Sequence, residues 1–347
     1  MDYRVAINGY GRIGRSILRA LYESDHHKNI KIVAINELSD LKTIAHLTKY
    51  DTTHGRFPGF VETRDKGLYI NNDYINISFF KEIKDLPWAE LDIDVVYECT
   101  GSFTTRTEAE QHIKSGAKKV IFSSPAENDV DATVVFGINE DTIKANHKII
   151  SNASCTTNCV IPVLKIIHDA FGIESGIITT IHSMMNDQPV IDAYHSRDLR
   201  LTRCAGQSII PVDTELAKGI DRILPELTGR FEAVSMRVPT INVSAMDITL
   251  VVKRNTNSTQ VNNVLKKATT GRLSDVLGYT EEPLASCDFN HDSRSSIVDG
   301  NQTKVSGSVL VKILAWFDNE WGYANRMLDT TTALMKVNTA DKAPLKN

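Results

Sequence analysis

The chain is poor in cysteine, with five among 347 residues, and in aromatic side chains, at 7%. An odd, sparse cysteine set does not build a disulfide framework and fits a reducing compartment. No apolar run approaches the roughly 20 residues that a membrane-spanning helix needs. Neither sign of charge dominates: 39 Lys and Arg stand against 43 Asp and Glu, a net charge of −4. No basic surface therefore advertises nucleic acid or an acidic membrane as partner. Long Gly/Ser or Pro linkers and internal repeats are absent. Triplets such as Asn76-Ile77-Ser78 resemble glycosylation acceptors. Met1-Asp2-Tyr3-Arg4 runs straight into an apolar strand, however, which leaves no room for a secretion signal. The triplets are read as chance matches, and the expected location is cytoplasmic. With 41% hydrophobic and 24% charged residues, the composition is globular and the length suffices for two cores.

What is present begins at the N-terminus. Tyr3-Arg4-Val5-Ala6-Ile7-Asn8 reads as a buried strand, followed at once by Gly9-Tyr10-Gly11-Arg12-Ile13-Gly14. Ile13, Ile17, Leu18 and Leu21 then recur at helical spacing. A G-x-G-x-x-G run between strand and helix is the dinucleotide-binding pattern. Its first glycine permits the turn, its second admits a pyrophosphate and its third lets the helix pack on the strand. The helix N-terminus, at Arg12 and Ile13, supplies donors for phosphates. A second strand, residues 30–35, ends in Asn36-Glu37. A carboxylate at Glu37 accepts from both ribose hydroxyls and repels a 2′-phosphate, so NAD is expected over NADP.

Strands and helices alternate up to Ser151. Residues 94–99 form a strand running into the turn Thr100-Gly101, expected to face the cofactor. Residues 107–115 read as a helix and 119–122 as a strand. This alternation predicts a doubly wound parallel sheet of Rossmann type. Later the texture changes to long strands over 177–182, 231–238, 242–253 and 308–317, with few helices, one of them over 260–269. That predicts a second, α+β domain around a mixed or antiparallel sheet. Residues 319–337 read as a long helix with Tyr323, Met327 and Leu334 on its apolar face, ahead of a polar tail expected to fray. His26 and His27 read as a solvated loop pair.

The run Ser151-Asn152-Ala153-Ser154-Cys155-Thr156-Thr157-Asn158-Cys159 lies between a buried strand and an apolar helix over 160–167. Cys155 then sits at or beside that helix's N-terminus, where the dipole and free N–H groups favour thiolate over thiol. His182 ends a strand 27 residues later. A thiol with an imidazole partner in a dinucleotide-binding chain suggests covalent catalysis on an aldehyde. Cys159, one turn deeper, reads as a small core residue. A metal or disulfide role for the Cys155–Cys159 spacing is poorly supported, because no second ligand pair accompanies it. No metal site is expected.

These residues carry a resemblance. The Ser151–Asn158 run resembles the active-site signature of the phosphorylating glyceraldehyde-3-phosphate dehydrogenases. So do residues 6–14, Arg237-Val238-Pro239-Thr240 and Trp316-Phe317-Asp318-Asn319-Glu320-Trp321-Gly322-Tyr323. The resemblance spans essentially the whole chain outside the tail. It implies NAD as cofactor, a homotetramer, and a C-terminal helix returning to the cofactor domain. The domains would be 1–153 with 318–347, and 154–317. It further implies Cys155 as nucleophile and His182 as base, with Asn319 holding the nicotinamide carboxamide. Tyr323 joins Gly9, Arg12, Ile13, Gly14, Glu37, Thr100 and Gly101 on the cofactor side. Thr156, Thr214 and Arg237 would bind anions, with Ser154 and Arg200 beside them on the substrate side.

The sequence departs from the glycolytic pattern around those anion positions. Met185 stands where a threonine is usual, Pro189 where a basic residue is usual, and Leu201 follows Arg200 where a second arginine often occurs. Glu215 replaces the glycine after Thr214. Residues 36–38, 131–135, 187–195 and 288–292 resemble instead the erythrose-4-phosphate dehydrogenase branch. That branch oxidises D-erythrose 4-phosphate to 4-phospho-D-erythronate, toward pyridoxal 5′-phosphate. Glu215 sets a negative charge where attacking phosphate would approach, so water is the expected acyl acceptor.

Overall fold

The computed structural model describes residues 2–24, 26–196 and 198–340. The chain falls into two compact units. Residues up to Ser154, together with those from Tyr323 onward, form the first, and Cys155–Gly322 form the second. Residues 318–322, assigned from sequence to the first domain, thus cluster with the second.

The first unit is built on a nine-stranded sheet. Its order is Ala132–Thr133, Ile149–Ser151, Lys119–Phe122, Val95–Glu98, Tyr3–Asn8, Ile30–Asn36, Asp73–Ser78, Gly67–Ile70 and Val61–Arg64. The first seven run parallel, and the last two extend the sheet as antiparallel hairpins. The strands Val95–Glu98 and Lys119–Phe122 are buried throughout, as central strands covered on both faces must be. From Tyr3–Asn8 the chain winds outward to one side, then crosses to Val95–Glu98 on the other. The strand order therefore reverses between these two strands, and ligands bind at such a switch point beyond the carboxyl ends. From Tyr323 onward the final helix, Trp321–Ala340, belongs to this unit. The Tyr97 hydroxyl lies 2.7 Å from that of Thr331, and Thr330 Oγ1 donates to Asn152 Oδ1 at 2.7 Å. The tail expected to fray begins inside this helix, and its residues from 341 lie outside those described.

His27 corrects the loop-pair reading. It is buried against the same helix, with Nε2 3.3 Å from Asp329 and Nδ1 3.4 Å from the Thr332 hydroxyl. Nothing in the local His-His pattern could reveal a partner 300 residues away.

The second unit holds a seven-stranded mixed sheet. Its order is Ile210–Val212, Phe231–Val238, Ile173–Ser183, Ser244–Val252, Leu310–Phe317, Ser296–Ser306 and Leu277–Thr280. Ile178, Met246, Ile248, Ile313 and Ala315 bury one face, and the helix Cys155–Phe171 packs on it with Ser258–Ala268. The eleven-residue strand Ser296–Ser306 was not evident in the sequence. It is polar, contains Gly300, and shifts register between Asp299 and Lys304, so its alternation is broken. The pairing that matters most for chemistry is parallel: Ile173–Ser183 runs beside Phe231–Val238 with His182 opposite Arg237.

Candidate active site

The cofactor cradle follows from three glycines with three different duties. Gly9 has φ +87°, and a Cβ there would lie 2.6 Å from the Thr100 nitrogen. A Cβ on Gly14 would lie 2.5 Å from the Gly9 carbonyl oxygen. Both glycines are therefore demanded by the protein's own packing. A Cβ on Gly11 would meet nothing within 4 Å, so its bareness serves no internal contact and leaves room for a phosphate. Gly11 caps the helix Arg12–Glu23 with no side-chain hydrogen bond and no acid in the first turn. That end suits an anion.

Glu37 stands half-buried just past its strand. Its carboxylate accepts from the Tyr10 amide at 2.8 Å and the Leu38 amide at 2.7 Å. Each oxygen keeps a second acceptor direction for a ribose hydroxyl. Thr100 and Gly101 are exposed just past the strand Val95–Glu98, on the other side of Tyr3–Asn8. Arg12 and Ile13 open the helix. The Arg12 guanidinium is occupied by Asp51, whose carboxyl it helps hold down at about 2 against the opposing effect of burial. The Arg12 charge is therefore already engaged within the protein. Tyr323 is buried and donates its hydroxyl to the Ala153 carbonyl at 2.9 Å, so it supports the turn ahead of Cys155.

In the second unit, Cys155 is the first residue of the 17-residue helix Cys155–Phe171. Its Sγ lies 3.7 Å from His182 Nε2. His182 Nδ1 lies 2.7 Å from the Ser183 carbonyl and 3.2 Å from Arg237 Nη1. Both nitrogens of that second contact cannot donate and accept as required if Nδ1 also serves the carbonyl. The shorter contact decides: Nδ1–H donates to Ser183, Nε2 is left bare toward the thiol, and Arg237 acts on the ring through its charge. Cys159, by contrast, is buried with its thiol donating to the Ser296 hydroxyl at 3.6 Å.

Two family models match this chain. Residues 3–106 match glyceraldehyde 3-phosphate dehydrogenase, NAD binding domain, and residues 154–319 match glyceraldehyde 3-phosphate dehydrogenase, C-terminal domain. The chain belongs to the glyceraldehyde-3-phosphate dehydrogenase family. It is an NAD-dependent oxidoreductase whose first unit is the NAD-binding domain.

The electrostatics of this dehydrogenase's site correct one expectation. Burial pushes the Cys155 thiol up to about 11. Arg237 and the amides of Thr156 and Cys155 pull it back, and Glu320 adds to the rise. Burial pulls His182 down to about 4 with help from Arg237, against the Ser183 carbonyl, Asp187 and Glu320. The helix terminus alone therefore does not leave a thiolate in the resting site, because desolvation outweighs it. Neither group charges readily by itself. Moving one proton from Sγ to Nε2 creates both charges together at short range, and their attraction offsets part of the desolvation. The arrangement can thus release a nucleophile on demand.

The remaining site residues are placed unevenly. Asn319 Oδ1 accepts from Ser244 at 2.8 Å and Ser183 at 2.9 Å. Neither serine carries a signal in the sequence that marks it for this contact. Ser154 and Thr156 flank Cys155, both half-buried. Thr214 accepts from the Leu216 amide at 3.3 Å and so sits at the start of the helix Leu216–Ile223. Arg200 is exposed in a short 3-10 turn, its amide donating to Asp198 at 2.8 Å. Glu215 is exposed and paired with Lys218 at 2.6 Å, which offsets much of the negative charge expected there.

Two outcomes are expected. Replacing His182→Asn should slow iodoacetamide alkylation of Cys155 at pH 7. It should also move the pH profile upward, toward the raised pKa of an isolated buried thiol, because thiolate then forms only by proton loss to solvent. An unchanged profile would mean that the two groups do not titrate together. Glu37→Gln should weaken NAD and narrow the margin over NADP, as measured by catalytic efficiency with each cofactor. A wild type that uses both equally would remove the role given to Glu37.

Proposed function

We propose that this dehydrogenase oxidises D-erythrose 4-phosphate to 4-phospho-D-erythronate, toward pyridoxal 5′-phosphate, and releases its acyl group to water. The observation that carries the reading is the loop after His182. Met185 donates its amide to Gln188 Oε1 at 3.0 Å, and Gln188 returns its own amide to the Met185 carbonyl at 3.1 Å. This ordered loop offers neither a hydroxyl at position 185 nor a cation at 189, so it is poorly equipped to bind an attacking phosphate. Arg237 remains for the phosphate already on the substrate. Its Nε is buried without a hydrogen-bond partner, and a guanidinium fork matches phosphate oxygens in pairs. Thr156, Thr214, Ser154 and Arg200 complete the proposed substrate side.

The chemistry runs through Cys155 and His182. The thiol proton passes to Nε2 as Sγ bonds to the aldehyde carbon, and it then neutralises the alkoxide to give a thiohemiacetal. Nε2 next takes the hydroxyl proton as the C–H bond breaks. NAD held by the Gly9–Gly14 turn and Glu37 would supply the hydride acceptor. The Cys155 thioester remains. Once His182 has given that proton up to solvent, water adds to the thioester with Nε2 taking a proton, and collapse expels the thiolate, which His182 reprotonates. The Cys155 amide at the helix start is suited to stabilise the oxyanion in both addition steps.

One observation favours a second reading, phosphorylating glyceraldehyde-3-phosphate oxidation: Lys218 offsets the Glu215 charge that would repel phosphate. Turnover separates the two. NADH should form from erythrose 4-phosphate at full rate in phosphate-free buffer, with glyceraldehyde 3-phosphate the poorer substrate. A strict need for inorganic phosphate, with an acyl phosphate as product, would restore the glycolytic reaction.

The proposal extends to a cytoplasmic homotetramer. All five cysteines are free, and no helix among the described residues is long and apolar enough to cross a membrane. Ile177 and Val234 are exposed on neighbouring strands of the second sheet, apolar surface of a kind that subunit contacts cover. Sedimentation equilibrium at the mass of a single chain would remove the tetramer.

A further inference from the structure

The first unit hides a carboxylate that the aldehyde chemistry does not use. Glu98 ends its strand beside Asn8, its register partner, on the two strands between which the sheet order reverses. It is 2% exposed and its carboxylate meets four donors. Oε2 accepts from Asn8 Nδ2 at 2.7 Å and from His112 Nε2 at 3.0 Å. Oε1 accepts from both the amide and the hydroxyl of Thr100. The Thr100 hydroxyl in turn accepts from the Ser102 amide at 3.1 Å. One carboxylate thus ties together the two turns at the switch point, Asn8-Gly9 and Thr100-Gly101-Ser102.

A second layer orients that carboxylate. Trp88 Nε1 lies 3.0 Å from His112 Nδ1. An indole N–H can only donate, so Nδ1 accepts, the ring proton sits on Nε2, and Nε2–H points its hydrogen bond at Glu98. Trp88 and His112 are both fully buried. On the other side, Asn8 Oδ1 accepts from Asn36 Nδ2 at 2.8 Å, and Asn36 Oδ1 accepts from the Phe80 amide at 2.9 Å. The polar chain therefore runs beneath the carboxyl ends of three adjacent strands. Gly9 makes the spacing unforgiving, because it packs directly on the Cys99–Thr100 backbone.

We propose that Glu98 is a positioning residue for NAD: buried under the cradle, it holds the Gly9 and Thr100 turns at the separation the dinucleotide needs, with Trp88 and His112 fixing its orientation. It touches no reacting atom. Its effect reaches the cofactor through the two turns, so it should appear in NAD affinity and not in the reactivity of Cys155. The inference rests on the NAD-binding fold and is independent of which aldehyde is oxidised.

The test measures NAD binding by titration calorimetry on the full-length protein without aldehyde. Thermal unfolding is followed on the same samples. Glu98→Gln cannot accept from all four donors, so NAD should bind at least about tenfold more weakly, the loss expected of one charge-assisted hydrogen bond. Alkylation of Cys155 by iodoacetamide without NAD should stay within about twofold of wild type. His112→Leu removes the donor to Glu98 and should weaken NAD in the same direction. His112→Gln, whose amide can both accept from Trp88 and donate to Glu98, should return affinity to within about threefold. A folded Glu98→Gln with a lowered unfolding temperature but unchanged NAD affinity would overturn the proposal. If Glu98→Gln does not fold, the two His112 variants decide, and equal NAD affinity in both would overturn it.

Discussion

The hydrogen bond from His182 Nδ1 to the Ser183 carbonyl, 2.7 Å long, governs what the second unit can do. It commits the ring proton to one nitrogen and leaves Nε2 as a base facing Sγ. The bond is available because His182 and Ser183 end a strand whose parallel neighbour sets Arg237 directly opposite. Arg237 thereby acts on both members of the Cys155–His182 pair. Its charge lowers the basicity of the imidazole and the pKa of the thiol at the same time. A base of lowered pKa gives up its proton readily, which suits the acid–base role proposed for His182.

Two helix N-termini in this protein face opposite demands. At Gly11 the terminus is uncapped by any side chain and open to solvent, so its partial positive charge is free for an anion. At Cys155 desolvation pushes the thiol up against the same backbone feature. The difference lies in surroundings and not in the helices. A dipole worth a fraction of a kcal/mol to about 2 kcal/mol cannot outweigh removal of a lone thiolate from water. Only a partner that charges simultaneously can, which is why His182 and Cys155 make sense as a pair.

The polar groups of the first unit solve a related problem with no net reaction. Asn8, Asn36 and Glu98 are buried where a parallel sheet ordinarily holds Val and Ile, and His112 reaches Glu98 from the helix Arg106–Lys114. Each finds hydrogen-bond partners within this unit. A fully satisfied buried network costs little and restricts geometry. Here the geometry restricted is that of the turns above it.

The sequence by itself determined the local pieces. Gly9, Gly11 and Gly14 between strand and helix, Cys155 at a helix start, and the change from alternating elements to long strands all rest on interactions within a few residues, which spacing reports directly. Cys159 as a core residue was legible for the same reason. Tertiary structure alone decided the pairings: Arg237 against His182, Ser183 and Ser244 on Asn319, Asp51 taking the Arg12 guanidinium, Lys218 blunting Glu215, and His27 buried on a helix 300 residues away. The strand Ser296–Ser306 stayed hidden because its bulge breaks the period-2 pattern that announces a strand. Charge and burial depend on what folding brings within a few ångströms, and strand register, unlike helical spacing, is set by partners that the local sequence does not contain.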